Sequence, residues 1–137
     1  MEHWLNDYVG VEFENRGRGE KVDCWGLLRR IYAERFKITI PSFSEYVDAH
    51  DIKEVAKLIK GKEDGRGDTW IDTPPGEERF GDVAIFRIAG APVHIGMVLG
   101  DDKMIHVEDG IDSCIENYTN LRWQKRLYKF YRHKERA

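Results

Sequence analysis

The sequence lacks any long apolar segment, and this absence argues against a helical membrane protein. No apolar run in its 137 residues approaches the roughly 18 residues that a transmembrane helix needs. The first residues, MEHWLND, also lack a basic segment followed by an apolar one. We therefore predict that the chain has no membrane span, no signal peptide and no membrane partner.

Cysteine and excess charge are scarce as well. The two cysteines, Cys24 and Cys114, do not form the CxxC spacing of zinc or dithiol redox sites. A chain of this length folds without a disulfide, so we predict two free thiols and no metal or other cofactor. The formal net charge of -3 provides no general attraction to nucleic acid, which we exclude as a partner.

The residues that are present describe an ordinary globular protein. Hydrophobic residues make up 41% of the chain and charged residues 34%. Six Phe, six Tyr and four Trp provide material for a substantial core. The length suits one domain, which we place at residues 1–137.

A cysteine stands at the start of the strongest helical pattern. Apolar residues follow Cys24 at helical spacing, namely Leu27, Leu28, Ile31 and then Phe36. Cys24 is therefore predicted in the first turn of a helix, where free N–H groups and the helix dipole favour the nucleophilic thiolate. The alternative is a small thiol buried under a helix. A base elsewhere in the chain would decide between the two.

The remaining patterns place helices first and strands after them. A short helix is predicted around Trp4 to Tyr8, and a second helix at residues 52–59. The segment 61–80 predicts a long connection with a short strand at Asp68 to Asp72. We favour a role for Trp70 in anchoring this loop to the core, and the alternative is that it lines a binding groove. The later strands are predicted at Val83 to Ile88, Val93 to Leu99, Lys103 to Glu108, Ser113 to Asn117 and Leu127 to Arg132. Helices followed by an antiparallel meander predict the α+β class.

The strands around Gly100 bring two histidines together. A three-residue loop of Gly100, Asp101 and Asp102 would pair Val98 with Met104. The same register places His94, Gly96, Val98, Met104, His106 and Glu108 on one face. Ile95, Met97, Leu99, Ile105 and Val107 then form an apolar face that must belong to the core. The two histidines become diagonal neighbours, close enough for their imidazole rings to meet.

These residues predict a nucleophilic site. Cys24 would attack as a thiolate, His94 would move the proton, and His106 would orient His94. The backbone N–H of Cys24 would contribute to an oxyanion hole. Glu108 is a rival for the orienting role, and a zinc site built from Cys24, His94, His106 and Glu108 is a further alternative.

The other candidates receive ordinary structural interpretations. We predict that His3, His50 and His133 are surface residues. Cys114 is predicted to be packed in or beside a strand rather than reactive.

Four blocks of the sequence resemble the NlpC-type cell-wall peptidases. They are Asp23-Cys24-Trp25-Gly26-Leu27, Gly81-Asp82-Val83-Ala84-Ile85-Phe86, His94-Ile95-Gly96-Met97-Val98-Leu99-Gly100 and Met104-Ile105-His106. The resemblance implies a papain-like fold with the nucleophile at a helix N-terminus against an antiparallel sheet. It also implies a catalytic triad of Cys24, His94 and His106. The implied reaction is hydrolysis of an amide bond in the peptide stem of peptidoglycan, typically between D-γ-glutamyl and diaminopimelate or lysine.

A narrower resemblance is to the branch found in tails of bacteriophages and tail-like particles. It is carried by the Cys-Trp-Gly-Leu form, the segment Ile40 to Tyr46, the long insertion before Gly81 and the closing Phe130-Tyr131-Arg132. This resemblance implies assembly in the cytoplasm, a location in the virion tail and other tail-tip proteins as partners. The alternatives are a structural tail-tip component that keeps the hydrolase fold, and an amidase or acyltransferase acting on a different amide.

The chain departs from the family pattern at two places beside the predicted site. Phe13 stands where many members of the family carry a tyrosine, and Trp25 stands where serine is common. Asp23 is retained, and in the family it helps to recognise a free amine on the stem peptide. The resemblance therefore implies that Phe13, Asp23 and Trp25 contact substrate.

Overall fold

A computed structural model describes residues 3–40, 69–88 and 91–137, with the side chains of residues 91–93 left aside. Its central helix, α1, spans Cys24–Ile31 and begins where the sequence predicts. The side chain of Asp23 caps α1 by accepting a hydrogen bond of 2.7 Å from the backbone N–H of Gly26. A π-helical turn, Tyr32–Phe36, continues the helix and ends at Lys37 with a left-handed φ of 58°. A 3₁₀ helix, His3–Tyr8, forms the predicted opening helix.

Six strands form one antiparallel sheet within the described part of the chain. They are β1 (Trp70–Thr73), β2 (Val83–Ile88), β3 (Ala91–Gly100), β4 (Lys103–Glu108), β5 (Ile111–Asn117) and β6 (Leu127–His133), in the spatial order β1-β6-β2-β3-β4-β5. The α+β class is confirmed, and all six predicted strands are present within a few residues of their predicted ends. The helix predicted at residues 52–59 lies outside the described residues. None of the helices described is long and apolar enough to cross a membrane.

The sheet is covered on both faces. The helix α1 packs on one face, and the five residues predicted for the apolar side, Ile95, Met97, Leu99, Ile105 and Val107, all belong to this core. A second apolar cluster covers the other face and contains Ala84, Phe86, Val98, Met104, Tyr118, Trp123 and Phe130. Polar side chains that point to this second face therefore sit in surroundings that contain little water.

The β3–β4 hairpin keeps the predicted register through a different loop. Val98 pairs with Met104, as predicted. Gly100 pairs with Lys103, however, so the loop contains two residues and a bulge lies between Val98 and Gly100. Asp101 and Asp102 have left-handed φ values of 54° and 62°. Two such residues suit the right-handed twist of a hairpin, and aspartate tolerates this conformation better than most residues.

A buried ion pair fixes the start of β2 against β6. The Asp82 carboxylate lies 2.9 and 3.0 Å from the Arg132 guanidinium and also accepts a hydrogen bond from the backbone N–H of Arg79. Asp82 is buried while Arg132 is half-buried. Removing either partner would leave an unpaired charge next to the core, which is costly.

Trp70 anchors the end of the long connection to the core, as predicted. Its ring meets His133 edge to face at a centroid distance of 4.9 Å and lies 5.9 Å from the ring of Tyr32. The prediction that His133 is a surface residue is wrong, because the pairing of β1 with β6 sets it opposite Trp70. His3 is exposed as predicted, and His50 lies outside the described residues.

The segment after the first helix closes the outer edge of β5. The backbone N–H of Gly10 donates to the carbonyl of Ser113, and the N–H of Ser113 donates to the carbonyl of Val11, both at 2.8 Å. The Ser113 hydroxyl accepts a further hydrogen bond from the N–H of Val11. The amino-terminal segment is thereby hydrogen-bonded to β5, the last strand in the spatial order of the sheet.

We expect that Gly26→Ala destabilises the protein. A Cβ at this position would overlap the carbonyl oxygen of Gly17 and lie 3.0 Å from the Arg18 guanidinium, so the backbone of the 17–18 loop would have to move. We expect the free energy of unfolding to fall by about 1–3 kcal/mol in denaturant titrations, despite the helix preference of alanine. Gly19→Ala is the matched control, because a Cβ there meets nothing within 4 Å. Equal stabilities for the two variants would contradict this account.

Candidate active site

Cys24 is the first residue of α1, and its side chain reaches β3. The residue is 5% exposed, and the main chain of Ile95 and of Trp25 forms hydrogen bonds to its thiol. Ile95 directly follows His94 in the sequence. The thiol therefore lies against the main chain of β3, one residue along from the predicted base His94.

Burial dominates the acidity of this thiol. It raises the pKa of Cys24 to about 12, and the nearby Asp23 carboxylate adds to the rise. The main-chain hydrogen bonds and Arg18 oppose the shift but do not cancel it. The expectation of a resting thiolate is therefore wrong for this conformation. Desolvation disfavours the charged form more than the helix start favours it.

His94 is held between aromatic rings on the second face of the sheet. Trp123 stacks on its imidazole at 5.2 Å with an interplanar angle of 20°, and Phe86 lies 6.0 Å away. His94 is 5% exposed. Its Nε2 lies 2.9 Å from Nδ1 of His106, so the two histidines meet as the sequence predicts.

His106 continues this contact to a carboxylate. Its Nε2 lies 2.9 Å from Oε1 of Glu116 on β5. Burial lowers the pKa of His106, although the hydrogen bond to Glu116 opposes the shift. Burial tends to raise the pKa of Glu116, but the hydrogen bond from His106 and other contacts outweigh it, so the net shift is downward. A neutral imidazole therefore faces an ionised carboxylate.

These protonation states determine which ring nitrogens carry protons. The Nε2–H of His106 donates to Glu116, which leaves Nδ1 of His106 as an acceptor. That nitrogen accepts the Nε2–H of His94, so Nδ1 of His94 keeps its lone pair. We call His94, His106 and Glu116 the imidazole chain. Its geometry prepares Nδ1 of His94 to accept a proton.

Glu108, the predicted rival for the orienting role, lies elsewhere. It pairs with Ile111 across the β4–β5 ladder, and its carboxylate accepts a hydrogen bond of 2.7 Å from Arg122. His106 therefore holds the orienting position beside His94, and Glu116 adds a contact to His106 that was not predicted. Sequence analysis missed both Glu116 and Trp123.

The three residues expected to contact substrate make contacts within the protein instead. Asp23 is buried, where it caps α1 and lies 2.9 Å from Arg18. Trp25 is 1% exposed within the core, so the expectation that it contacts substrate does not agree with its position. Phe13 is half-buried against the same core and bridges to Val22. Buried side chains that already pair or pack are not free to bind a stem peptide in this conformation.

The potential metal ligands that lie close together in the structure are not the set that the sequence suggested. Among the residues described, the ligand atoms of His106, Cys114 and Glu116 lie within 4.8 Å of one another. That group does not include Cys24, His94 or Glu108. Cys114 lies in β5 as predicted and is half-buried, with its Sγ 3.9 Å from Nε2 of His106.

We expect Glu116→Gln to weaken the tautomer preference of the imidazole chain. An ionised carboxylate only accepts hydrogen bonds, whereas an amide can present either its oxygen or its NH₂ group to His106. Imidazole ¹⁵N spectra at neutral pH should show Nε2–H tautomers for both histidines in the wild type and mixed tautomers in the variant. Unchanged ring spectra in a folded variant would show that Glu116 does not set the tautomers.

Comparison with known proteins identifies the family of this chain. The family model described as the NlpC/P60 family matches residues 10–132. A curated relative, the Escherichia coli K12 protein named murein DD-endopeptidase MepS/murein LD-carboxypeptidase, is 24% identical over 121 residues. That match covers 88% of this chain and 54% of the relative, so the chain spans about half the length of this relative.

Solved structures share the fold. An NlpC/P60 family protein from Bacillus cereus superposes with a TM-score of 0.68 at 20% identity, covering 93% of this chain and 37% of that one. The peptidoglycan hydrolase RipB from Mycobacterium tuberculosis gives a TM-score of 0.59 at 17% identity, covering 92% of this chain and 58% of that one. The papain-like NlpC/P60 fold is thus shared across most of the described chain. Together with the family match, it shows that this chain belongs to the NlpC/P60 family.

Proposed function

We propose that this chain is a cysteine peptidase that hydrolyses an amide bond in the peptide stem of peptidoglycan. The observation that carries the proposal is the Cys24 thiol against the main chain of β3, one residue along from His94, together with an imidazole chain whose hydrogen bonds prepare Nδ1 of His94 to accept a proton. Membership of the NlpC/P60 family supports it. So do the names of similar proteins, which include a murein endopeptidase and a peptidoglycan hydrolase.

The raised pKa of the Cys24 thiol determines how the reaction begins. With a pKa of about 12, forming the free thiolate at neutral pH would cost about 7 kcal/mol before any bond is made. Nδ1 of His94 therefore takes the proton as Sγ attacks the carbonyl carbon. General-base catalysis of this kind avoids a separate thiolate intermediate.

The imidazole chain stabilises the charge that this step creates. The His94 imidazolium donates through Nε2 to His106, and His106 donates to the Glu116 carboxylate. His94 then returns the proton to the leaving amine, which leaves a thioester on Cys24. A water molecule attacks the thioester with His94 again acting as base, releasing the carboxylic acid and the thiol. The N–H of Cys24 at the start of α1 contributes to the oxyanion hole.

We further propose that the bond lies between D-γ-glutamyl and diaminopimelate or lysine, and that the protein acts in a bacteriophage tail or tail-like particle. The support is the resemblance of Cys-Trp-Gly-Leu, the 40–46 segment and the closing Phe-Tyr-Arg to that branch. Such a protein would be assembled in the cytoplasm with other tail-tip proteins. The name of the Escherichia coli relative includes a murein DD-endopeptidase and a murein LD-carboxypeptidase.

The second candidate is a structural tail-tip component that keeps the hydrolase fold with little activity. The burial of Cys24 favours this candidate, because a nucleophile at 5% exposure with a raised pKa needs an opening of the site before substrate reaches it. The burial of Trp25 in the core also removes one expected substrate contact.

Peptidoglycan digestion separates the two candidates. We expect the wild type to release new amino groups, and Cys24→Ala and His94→Ala each to lower the rate by at least about a thousandfold. Cys114→Ala is the matched thiol control and should retain the wild-type rate. Muropeptide masses then identify the bond. No release from walls of several chemistries, with all proteins folded, would favour the structural candidate.

The pH dependence of alkylation tests the acidity of Cys24. In a Cys114→Ser variant, where Cys24 is the remaining cysteine, we expect the iodoacetamide rate to rise about tenfold per pH unit from about pH 7 to pH 9. The rate rises with pH because the fraction of reactive thiolate grows throughout the range below the pKa of Cys24. A rate that levels off below neutral pH would instead reveal a preformed thiolate–imidazolium pair.

A further inference from the structure

Three potential metal ligands converge on the second face of the sheet, beside the imidazole chain. Cys114 is the pairing partner of His106 across the β4–β5 ladder, and Glu116 lies two residues farther along the same strand. Strand periodicity therefore places Cys114 and Glu116 on the same face as His106. The Nε2 atom of His106 lies 3.9 Å from Sγ of Cys114 and 2.9 Å from Oε1 of Glu116.

The chemistry and spacing of these atoms fit a zinc ion. Imidazole nitrogen, thiolate sulfur and carboxylate oxygen are the ligands that zinc takes in proteins. Bond lengths of about 2.0–2.3 Å in a tetrahedral site place neighbouring ligand atoms about 3.5 Å apart. The nitrogen–sulfur distance already lies near this value, and Glu116 would withdraw from His106 by roughly half an ångström. Water would fill the fourth position.

Charge and position also favour a cation here. Cys114 and Glu116 are half-buried on the outermost strand of the sheet, so an ion can reach them from solvent. Glu108 and Glu116 both pair with Arg122, so two carboxylates stand against one guanidinium beside the three ligands. Arg122 lies 3.5 Å from Glu116 and opposes a cation, but it is held by Glu108 at 2.7 Å.

We propose that His106, Cys114 and Glu116 form an inhibitory zinc site. The binding stands on the geometry of the three side chains alone, whereas the inhibition rests on the proposed peptidase function. Zinc takes the Nε2 lone pair of His106, so the proton of the neutral ring moves to Nδ1. That Nδ1–H then donates to Nε2 of His94, and the proton of His94 moves to its Nδ1. The base that should receive the Cys24 proton is thereby blocked.

The proton count of this switch is balanced. The two neutral imidazoles hold two protons before and after zinc binds, and only their positions change. The Cys114 thiol releases one proton to solvent as its sulfur binds the metal. No oxidation, reduction or covalent bond to carbon is involved, so a chelator should restore the original tautomers and the original rate.

Metal binding is tested first, by competition for zinc between the protein and a chromophoric zinc indicator. The thiols are kept reduced with a phosphine, because dithiol reductants bind zinc themselves. We expect one zinc per chain in the wild type and in Cys24→Ala, and affinity at least about tenfold weaker in Cys114→Ala. Cobalt in place of zinc should give a near-ultraviolet thiolate charge-transfer band in the first two proteins alone. Retained affinity in Cys114→Ala, or loss in Cys24→Ala, would overturn the site. Thermal unfolding verifies that each variant is folded.

The tautomer switch is tested independently of activity. Imidazole ¹⁵N spectra should show the proton of His94 on Nε2 without zinc and on Nδ1 with zinc, and Cys114→Ala should show no change. In peptidoglycan digestion, zinc should inhibit the wild type and spare Cys114→Ala. Binding without the tautomer change or without inhibition would overturn the inhibitory role. An inactive metal-free wild type would instead count against the proposed peptidase, with the site still decided by binding and spectra.

Discussion

The hydrogen bond between His106 and Glu116 determines the tautomers of both histidines in the site. An ionised carboxylate accepts from Nε2 of His106, and this one hydrogen bond determines which nitrogen carries the proton on each of the two rings. The choice holds because the second face of the sheet is packed with apolar side chains, among them Trp123 stacked on His94. In a wetter site, solvent would satisfy either tautomer and the preference would weaken.

The elements that position this site follow from periodicity in the sequence. The bounds of β2 and β4 agree with the alternating pattern, and α1 begins at Cys24 because Asp23 is a strong N-cap in front of a helical apolar repeat. Glu116 escaped prediction for a specific reason. Asp109-Gly110 suggests a two-residue hairpin, which pairs Glu108 with Ile111 and, without interruption, would set His106 opposite Ser113. A shift in register between His106 and Glu108 sets His106 opposite Cys114 instead, so that Glu116 lies on the same face as His106.

Predictions from local sequence were also wrong where burial of a side chain outweighs the effect of its neighbours in the chain. A helix start lowers the pKa of a thiol, but that effect is small beside the loss of water around a fully enclosed sulfur. Trp123 lies in a turn without periodicity, so no pattern could place it over His94. Asp23 and Trp25 flank the nucleophile in one of the blocks that resemble the family, yet in this chain they cap the helix and fill the core. A motif residue can therefore reflect the scaffold that presents the nucleophile as much as contact with substrate.

The hydrogen bonds from Gly10 and Val11 to Ser113 have a consequence for how this protein behaves among other copies of itself. An outermost strand with unpaired amides and carbonyls is a template on which a second chain can add a strand. Here the amino-terminal segment occupies that template at the middle of β5. Displacing this segment, for example by a rigid fusion placed just ahead of it, would expose the edge of β5 beside Cys114 and Glu116 and create a site where copies of the chain can associate.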